Sequence, residues 1–489
     1  MLIHDFLTFF AREQPDTPCL LLDDRVLSYS QLYERSNQLA NALLEAGLQQ
    51  GERFTFLGRN SIETVIAYLA GSIAGLVPVP LNWRLAPPEW EYIVRDANAR
   101  LAIVEQEFCS GMDSIRGKLP DIRVWISVEP PAGAGWTDFE DFCSGHATVG
   151  PQTQIDEHDV FYQMYTSGTT GNPKGAMLTH YSVVSNAMQT MPYFKDAMGP
   201  GKRTLIVMPM FHAGAASFVI GSLFSGSTMV IHRDFSPQQV ADALSGQNIN
   251  VVNLVPAMIQ AMLVQVPDLA DRDFSTLECI IYGASSISES TLRRAMEIFG
   301  CDFYQGFGQT ESSACITFLT AQDHRRALEG KPELLLSAGR ALVGTDLRIV
   351  DGEDRELPRG ESGEIVMRGP QMMKSYWNLP QASTETLRNE WLHTGDVGMM
   401  DEEGFLYVQD RIKDMIVSGG ENVYPREVEN VLIEHPAITD AAVIGLPDEK
   451  YGEAVTAVVA LGQGAELELD ELIEFCRGKL GGFKIPRLM

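Results

Sequence analysis

Residues 161–178 read FYQMYTSGTTGNPKGAML, two apolar runs (161–165 and 176–178) flanking Tyr165-Thr166-Ser167-Gly168-Thr169-Thr170-Gly171-Asn172-Pro173-Lys174-Gly175. Glycines free successive backbone N–H groups to curl around phosphate oxygens, hydroxyls add donors, and Lys174 adds charge. The stretch is a phosphate loop by its chemistry. It does not fit GxxxxGK[ST], because Pro173 precedes Lys174 and Gly175 follows it, so a P-loop kinase or GTPase is rejected. A flexible Gly/Ser/Thr linker would not sit so tightly between core strands.

Working outward, apolar runs at 161–165, 205–208, 229–231, 251–255 and 277–282 alternate with helical segments such as 288–299. That alternation implies a largely parallel sheet covered by helices. Upstream, Ser28 and Gln31 have capping-box spacing ahead of a helix with Leu32, Leu39 and Leu43 on one side, stopping at Gly47. Ile3, Phe6, Leu7 and Phe10 mark an amphipathic surface helix with neither a basic start nor a cleavage signal. The weakly polar runs 64–81 and 211–231 approach membrane-span length, but Pro78 and Pro80 in the first and Gly214, Gly221 and Gly226 in the second make each a buried helix followed by a core strand. Beyond Leu342 the pattern turns to hairpins, with turn signals at Asp351-Gly352 and Glu403-Gly404. A boundary is expected at 410–413, and 424–489 reads as a small α/β unit with helices near 427–434 and 468–479.

A chain of 489 residues exceeds one compact core. Its 37 Lys plus Arg against 65 Asp plus Glu give a net charge of -28, and no basic stretch stands out. Nucleic acid and anionic membrane are poor partners for such a surface. Phosphates would have to be held locally, by amides, a lysine or a metal. The seven cysteines are scattered and never in CxxC spacing, which suits a reducing cytoplasm and suggests neither disulfides nor zinc.

Further segments follow the loop in order: Met208-Pro-Met-Phe-His212, Tyr282-Gly283-Ala284-Ser285, Gln305-Gly-Phe307-Gly308-Gln-Thr310-Glu311, Trp391-Leu-His-Thr-Gly395-Asp396, and Asp410-Arg411-Ile-Lys413-Asp414 with Ser418-Gly419-Gly420-Glu421-Asn422-Val-Tyr-Pro425. Together they resemble the adenylate-forming superfamily, and within it the AMP-forming acyl-CoA synthetases. The resemblance implies an α/β fold: a large N-terminal domain (1–409) of helix-covered sheets plus a β-rich subdomain, a hinge at 410–413 centred on Lys413, and a small mobile α/β C-terminal domain (414–489). It also implies ATP, Mg²⁺ and coenzyme A as cofactors, a carboxylic acid as substrate, a place in fatty-acid metabolism, no integral membrane segment, and room for a homodimer.

By that resemblance Thr166, Ser167, Gly168, Thr169, Thr170, Gly171 and Lys174 hold the triphosphate, and Glu311 with Thr169 and Thr170 supplies hard oxygen ligands to the metal. Phe307, where the family usually has tyrosine, stacks on adenine against the Gly283, Ala284 and Ser285 loop, with Gly308 and Thr310 beside it. Asp396 accepts from the ribose hydroxyls and Arg411 approaches the same sugar. His212, at the end of a buried strand, lines the acyl pocket with Gly214, Ala215, Phe218, Ala314 and Cys315. None of these pocket positions other than the histidine is ionic, so an apolar acid is expected, its length or aryl character open. Gly419 and Gly420 resemble the turn beside the pantetheine tunnel. His212 stands where amino-acid adenylation domains place an aspartate, which leaves transfer to a carrier protein as the lesser alternative. The family's chain runs on past the segment like Phe483-Lys484-Ile-Pro486 to a Gly-Lys pair, whereas this sequence stops at Met489; an impaired or noncatalytic adenylate binder is therefore the rival expectation. Ser375, replacing a common glycine, affects only a local turn.

Overall fold

Six parallel strands form the centre of a nine-stranded sheet, in the order Asp302–Phe307, Cys279–Gly283, Val251–Leu254, Arg203–Ile206, Thr228–Ile231 and Pro18–Leu22. Antiparallel strands Thr317–Leu319 and Arg340–Ala341 flank one side and Arg25–Ser28 the other. The structure is a computed structural model that describes every residue except 130–132, 167–171, 195, 286, 412–413, 419–420, 449–450, 463 and 478, with backbone only at 417, 421 and 422. A second, wholly parallel sheet runs Val77–Leu81, Arg53–Leu57, Leu101–Glu105, Val124–Val128, Thr137–Asp138. The α/β class and the helix-covered sheets are as the sequence implied.

The expected buried runs both resolve into a helix and a strand. Ile62–Ala74 is buried at every residue, ends at Gly75 (φ 68°) and leads into Val77–Leu81, an edge strand that tolerates Pro78 and Pro80. Ala213–Ser225 runs through Gly214 and Gly221 and ends only at Gly226 (φ 77°), before Thr228–Ile231. The Ser28 and Gln31 capping box starts the helix Tyr29–Glu45.

One expectation is corrected. The run at 161–165 does not join the parallel sheet: Val160–Thr166 and Lys174–Thr179 form an antiparallel hairpin, with Thr166 opposite Lys174, extended by Ser375–Tyr376. Seven residues between the strands are too few for a parallel crossover, which needs a dozen or more. The phosphate loop is thus the turn of a hairpin.

The chain divides into two compact units, one of Met1–Asp346 with Arg368–Leu392 and a second of Leu347–Met367 with His393–Met489. The second contains most of a four-stranded sheet, Asp346–Val350, Ser362–Arg368, Leu392–Met400, Leu406–Arg411, whose last two strands pair antiparallel, in the hairpin-rich region anticipated beyond Leu342. It also contains Glu421–Val423, Ile416–Ser418, Gly452–Leu461 and Ile438–Asp448, with helices Pro425–Ile433 and Leu469–Cys476 and a core built on Val428, Leu432, Val455 and Leu472. Among the described residues no helix is long and apolar enough to cross a membrane.

Candidate active site

In open parallel sheets, ligands gather beyond the carboxyl ends of the strands. Cys279–Gly283 and Asp302–Phe307 end side by side there, with Gly283 paired to Gly306. A Cβ on Gly283 would lie 2.2 Å from Gly306 O, and one on Gly308 2.2 Å from Ala314 O, so both glycines are required by backbone approach. Past these ends Ala284 (φ 66°) and Ser285 are exposed and Phe307 is half-buried, which leaves aromatic surface open next to the 284–285 turn. Gly308 and Thr310 are half-buried beside it.

Glu311 follows on the short 3-10 turn Thr310–Ser312 and is buried, 7% exposed. Its Oε1 accepts from Tyr376 Oη at 2.6 Å and Thr166 Oγ1 at 3.3 Å, while Oε2 makes no hydrogen bond among the described residues. Burial, then the neighbouring Glu311 charge, raise the Tyr376 hydroxyl well above its ordinary pKa, so it remains a donor. Lys174 Nζ stands 5.1 Å from the centroid of the same tyrosine ring. The structure therefore brings Thr166, Lys174, Glu311 and Tyr376 together, a cation and an oriented carboxylate at the mouth of the hairpin. A buried carboxylate with one oxygen fixed and the other free suits a hard cation that takes its remaining ligands from phosphates. Among the described residues no three His, Cys, Asp or Glu side chains group closely enough to hold a metal by themselves. Ser167, Gly168, Thr169, Thr170 and Gly171 lie outside the described residues, as do Lys413, Gly419 and Gly420.

After Glu311 the backbone enters a strained turn, Ser313 at φ 55° and Ala314 at φ 104°. Neighbours over-determine it: Ser217 Oγ donates to Ser313 O (3.0 Å), Ser313 Oγ donates to Gln371 O (2.8 Å), and the Asn186 amide takes Cys315 N–H (3.3 Å) and donates to Cys315 O (2.9 Å). Ala314 and Cys315 are half-buried, and burial pushes the thiol up to about 12, keeping it neutral.

His212 is not at a strand end. Arg203–Ile206 stops earlier and His212 is the N-cap of Ala213–Ser225, since Pro209 interrupts the intervening segment. Its ring packs 4.3 Å from Phe211, and the side chain is partly enclosed by protein while still reached by solvent. That enclosure, with the charge of Arg84 second, lowers its pKa below the ordinary value, so the imidazole is neutral at neutral pH. Gly214 is half-buried beside it, whereas Ala215 and Phe218 are buried in the main core. Asn60, 2% exposed, clamps the preceding segment: Oδ1 accepts Met210 N–H (2.8 Å) and Nδ2 donates to Met208 O (3.0 Å) and His232 O (3.1 Å), while Tyr68 Oη donates to Met210 O (2.8 Å).

In the second unit Asp396 and Arg411 face each other across neighbouring strands, Arg411 Nε 3.3 Å from Asp396 Oδ1. Asp396 is buried and Arg411 exposed. The turn before Asp396 is fixed by Glu364, which accepts Gly395 N–H (3.2 Å) and bonds His393 Nδ1 (2.8 Å).

A family model described as AMP-binding enzyme matches residues 7–377, and one described as AMP-binding enzyme C-terminal domain matches residues 427–489. The chain belongs to the AMP-binding enzyme family. The resemblance carried by the motifs is thereby borne out. Among relatives of this AMP-binding enzyme, a fatty acid–[acyl-carrier-protein] ligase, ScoC, of Streptomyces coeruleorubidus is 36% identical over 98% of this chain and 90% of its own length. The long-chain-fatty-acid–CoA ligase FadD13 of Mycobacterium tuberculosis (strain ATCC 25618 / H37Rv) is 33% identical over 94% of this chain and 88% of its own. Among solved structures, the o-succinylbenzoate CoA synthetase MenE of Bacillus subtilis, in complex with its acyl-adenylate intermediate, superposes with a TM-score of 0.86 at 28% identity, covering 99% of this chain and 94% of that one.

Sequence reasoning missed several residues that hold these candidate segments in place. Tyr376 lies next to Ser375, which the sequence marked only as a local turn. Asn60, Tyr68, Asn186, Ser217 and Glu364 carried no local signal, because each acts by a hydrogen bond to a segment distant in the chain.

Proposed function

We propose that the protein is an AMP-forming acyl-CoA synthetase that activates an apolar carboxylic acid. The observation that carries the reading is the buried Glu311 carboxylate, held by Tyr376 and by Thr166 of the phosphate hairpin, with Lys174 over the ring of the same tyrosine. In the first step the acid's carboxylate attacks the α-phosphorus of ATP and pyrophosphate leaves. In the second, the thiol of coenzyme A attacks the acyl carbonyl and AMP leaves.

Such phosphoryl chemistry needs positioning and charge neutralisation more than covalent help from the protein. Lys174 and the loop amides orient the β and γ phosphates; Phe307 and the 283–285 turn receive adenine; Asp396 and Arg411 recognise the ribose. Glu311, with the hydroxyls of Thr169 and Thr170, would hold Mg²⁺, which when bound would neutralise charge on the departing pyrophosphate. Neutral His212 with Gly214, Ala314 and Cys315 accepts the acid without an opposing charge, and Ala215 and Phe218 back that surface. Gly419 and Gly420 receive the pantetheine arm after rotation about Lys413. Coenzyme A is the acceptor assigned here; a cytoplasmic location suits seven free cysteines, and the net charge of -28 argues against nucleic acid.

The test is acid-dependent pyrophosphate release across saturated fatty and aryl acids, with Lys174→Ala and Glu311→Ala beside the wild type. Both variants lose most of the activity while remaining folded. Wild-type rates in both would overturn the site, and thioester formed on a carrier protein in place of coenzyme A would overturn the acceptor. Sedimentation distinguishes a monomer from a homodimer.

A further inference from the structure

Five residues, Asp96, Tyr165, Gln163, Arg53 and Trp377, close a polar ring at the base of the phosphate hairpin, through their side chains and the backbone oxygen of Asp96. Tyr165 Oη donates to Asp96 Oδ2 at 2.5 Å and accepts from Gln163 Nε2 at 3.0 Å. Gln163 Oε1 accepts from Arg53 Nε at 3.3 Å, and the Arg53 guanidinium lies 3.5 Å from the centroid of the Trp377 ring. Trp377 completes the circuit, its Nε1 donating to the backbone oxygen of Asp96 at 2.8 Å.

The ring grips the hairpin on both strands. Gln163 and Tyr165 belong to Val160–Thr166; on the return strand Trp377 N–H donates to Gly175 O at 2.7 Å. Tyr92, one turn before Asp96 on the helix Pro87–Asp96, donates from Oη to Pro173 O at 3.3 Å. Lys174 is therefore bracketed by two carbonyls that residues outside the hairpin hold. Gly175 shows how close the packing is: a Cβ there would meet Gln163 Nε2 at 2.6 Å and Tyr165 Cζ at 3.0 Å.

Two members of the ring, Asp96 and Arg53, are ionic, and hydrogen bonds to ionised groups are shorter and stronger than neutral ones. In a partly buried circuit each bond polarises the next, so the loss of one member loosens the others. Burial first, and Asp96 second, push the Tyr165 hydroxyl far above its ordinary pKa, which keeps it a donor.

We propose that Asp96 is a positioning residue for ATP: through Tyr165 and Trp377, and with Tyr92 on the same helix, it fixes the strand from which Lys174 reaches the phosphates. The inference rests on the nucleotide site assigned above. Asp96 contacts no reacting atom; it acts through the backbone on either side of Lys174, so its removal weakens ATP and spares the acid.

The experiment measures KM for ATP, KM for the acid and kcat in pyrophosphate release for Asp96→Asn, Tyr165→Phe and Lys174→Ala, and for Asp96→Asn combined with Lys174→Ala. In Asp96→Asn and Tyr165→Phe the KM for ATP rises about tenfold, the scale of one charge-assisted hydrogen bond, while the KM for the acid moves less than about twofold. In the Lys174→Ala background Asp96→Asn adds no further rise, because the group it positions is gone. An unchanged KM for ATP, equal rises for ATP and acid, or a full additional rise in the Lys174→Ala background overturns the proposal. If Lys174→Ala itself leaves the KM for ATP unchanged, the nucleotide site is wrong; if Lys174→Ala raises it and the ring variants do not, only the role of Asp96 is wrong. Should Asp96→Asn fail to fold, Tyr165→Phe, which keeps the ring's carbon packing, carries the same comparison.

Discussion

Tyr376→Phe removes one oxygen and keeps the aromatic ring that lies near Lys174. The lost atom is the closer of two donors to Glu311 Oε1, 2.6 Å against 3.3 Å from Thr166. Hydrogen bonds to a charged partner are worth ~1.5–3 kcal/mol, and leaving a buried acceptor short of a donor costs in the same range. At about 1.4 kcal/mol per decade that is roughly a 10- to 100-fold fall in kcat/KM for adenylate formation. The carboxylate, held then by Thr166 alone, also presents Oε2 less firmly, so half-saturation by Mg²⁺ shifts to higher concentration. Pyrophosphate release measured across a Mg²⁺ titration reads both quantities, with thermal unfolding as the control for folding. A folded Tyr376→Phe enzyme within about twofold of wild type in rate and Mg²⁺ dependence would refute the argument that this bond orients Glu311.

Asp396→Ala weakens ATP binding by ~1.5–3 kcal/mol through lost ribose hydrogen bonds, which calorimetry reads directly; unchanged affinity would remove Asp396 from the nucleotide site. Gly308→Ala places a Cβ 2.2 Å from Ala314 O, so the 313–315 turn must move, and acid activation falls by more than the loss of thermal stability explains; wild-type kinetics would show that the turn is not part of the pocket. Glu105 is 2% exposed, and its carboxyl is pushed up to about 7 by burial, against the favourable charge of Arg233 and the Arg59 amide. Because the folded value lies above the unfolded one, the folded state binds more protons between about pH 4.5 and 7 and this group's contribution to stability falls as pH rises through that window. Glu105→Gln removes the dependence, so its melting temperature improves relative to wild type from about pH 5 to about pH 8; a pH-independent difference would contradict the assignment.

Much of this chain is legible because its informative features are local. The phosphate loop, the Ser28 capping box and the glycine stop at Gly75 each depend on a few consecutive residues whose dihedral preferences and donors lie in one short stretch. The ordered motifs from Tyr165 to Pro425 were enough to indicate the family, and they named Lys174, Glu311, Phe307 and Asp396 without any view of their surroundings. Two local expectations failed where short apolar runs were read without partners. The run at 161–165 pairs in a hairpin with the strand that follows it, and the segment before His212 leaves the sheet after Ile206, because strand pairing depends on the length and chemistry of the residues beyond each run.

The sequence by itself determined the α/β class, the order of the elements and the chemical types at the site, since these follow from periodicity and from side chains fixed by the chain. Only the tertiary structure decided what orients them. Tyr376 meets Glu311 across 65 residues of chain and Asn60 meets Met208 across 148. Asp96, Tyr165 and Trp377 come from three separate segments. Such bonds are directional and short-ranged, so they exist only once burial of the apolar elements has brought distant segments within about 3 Å of each other, and no local pattern records which donor will find which acceptor.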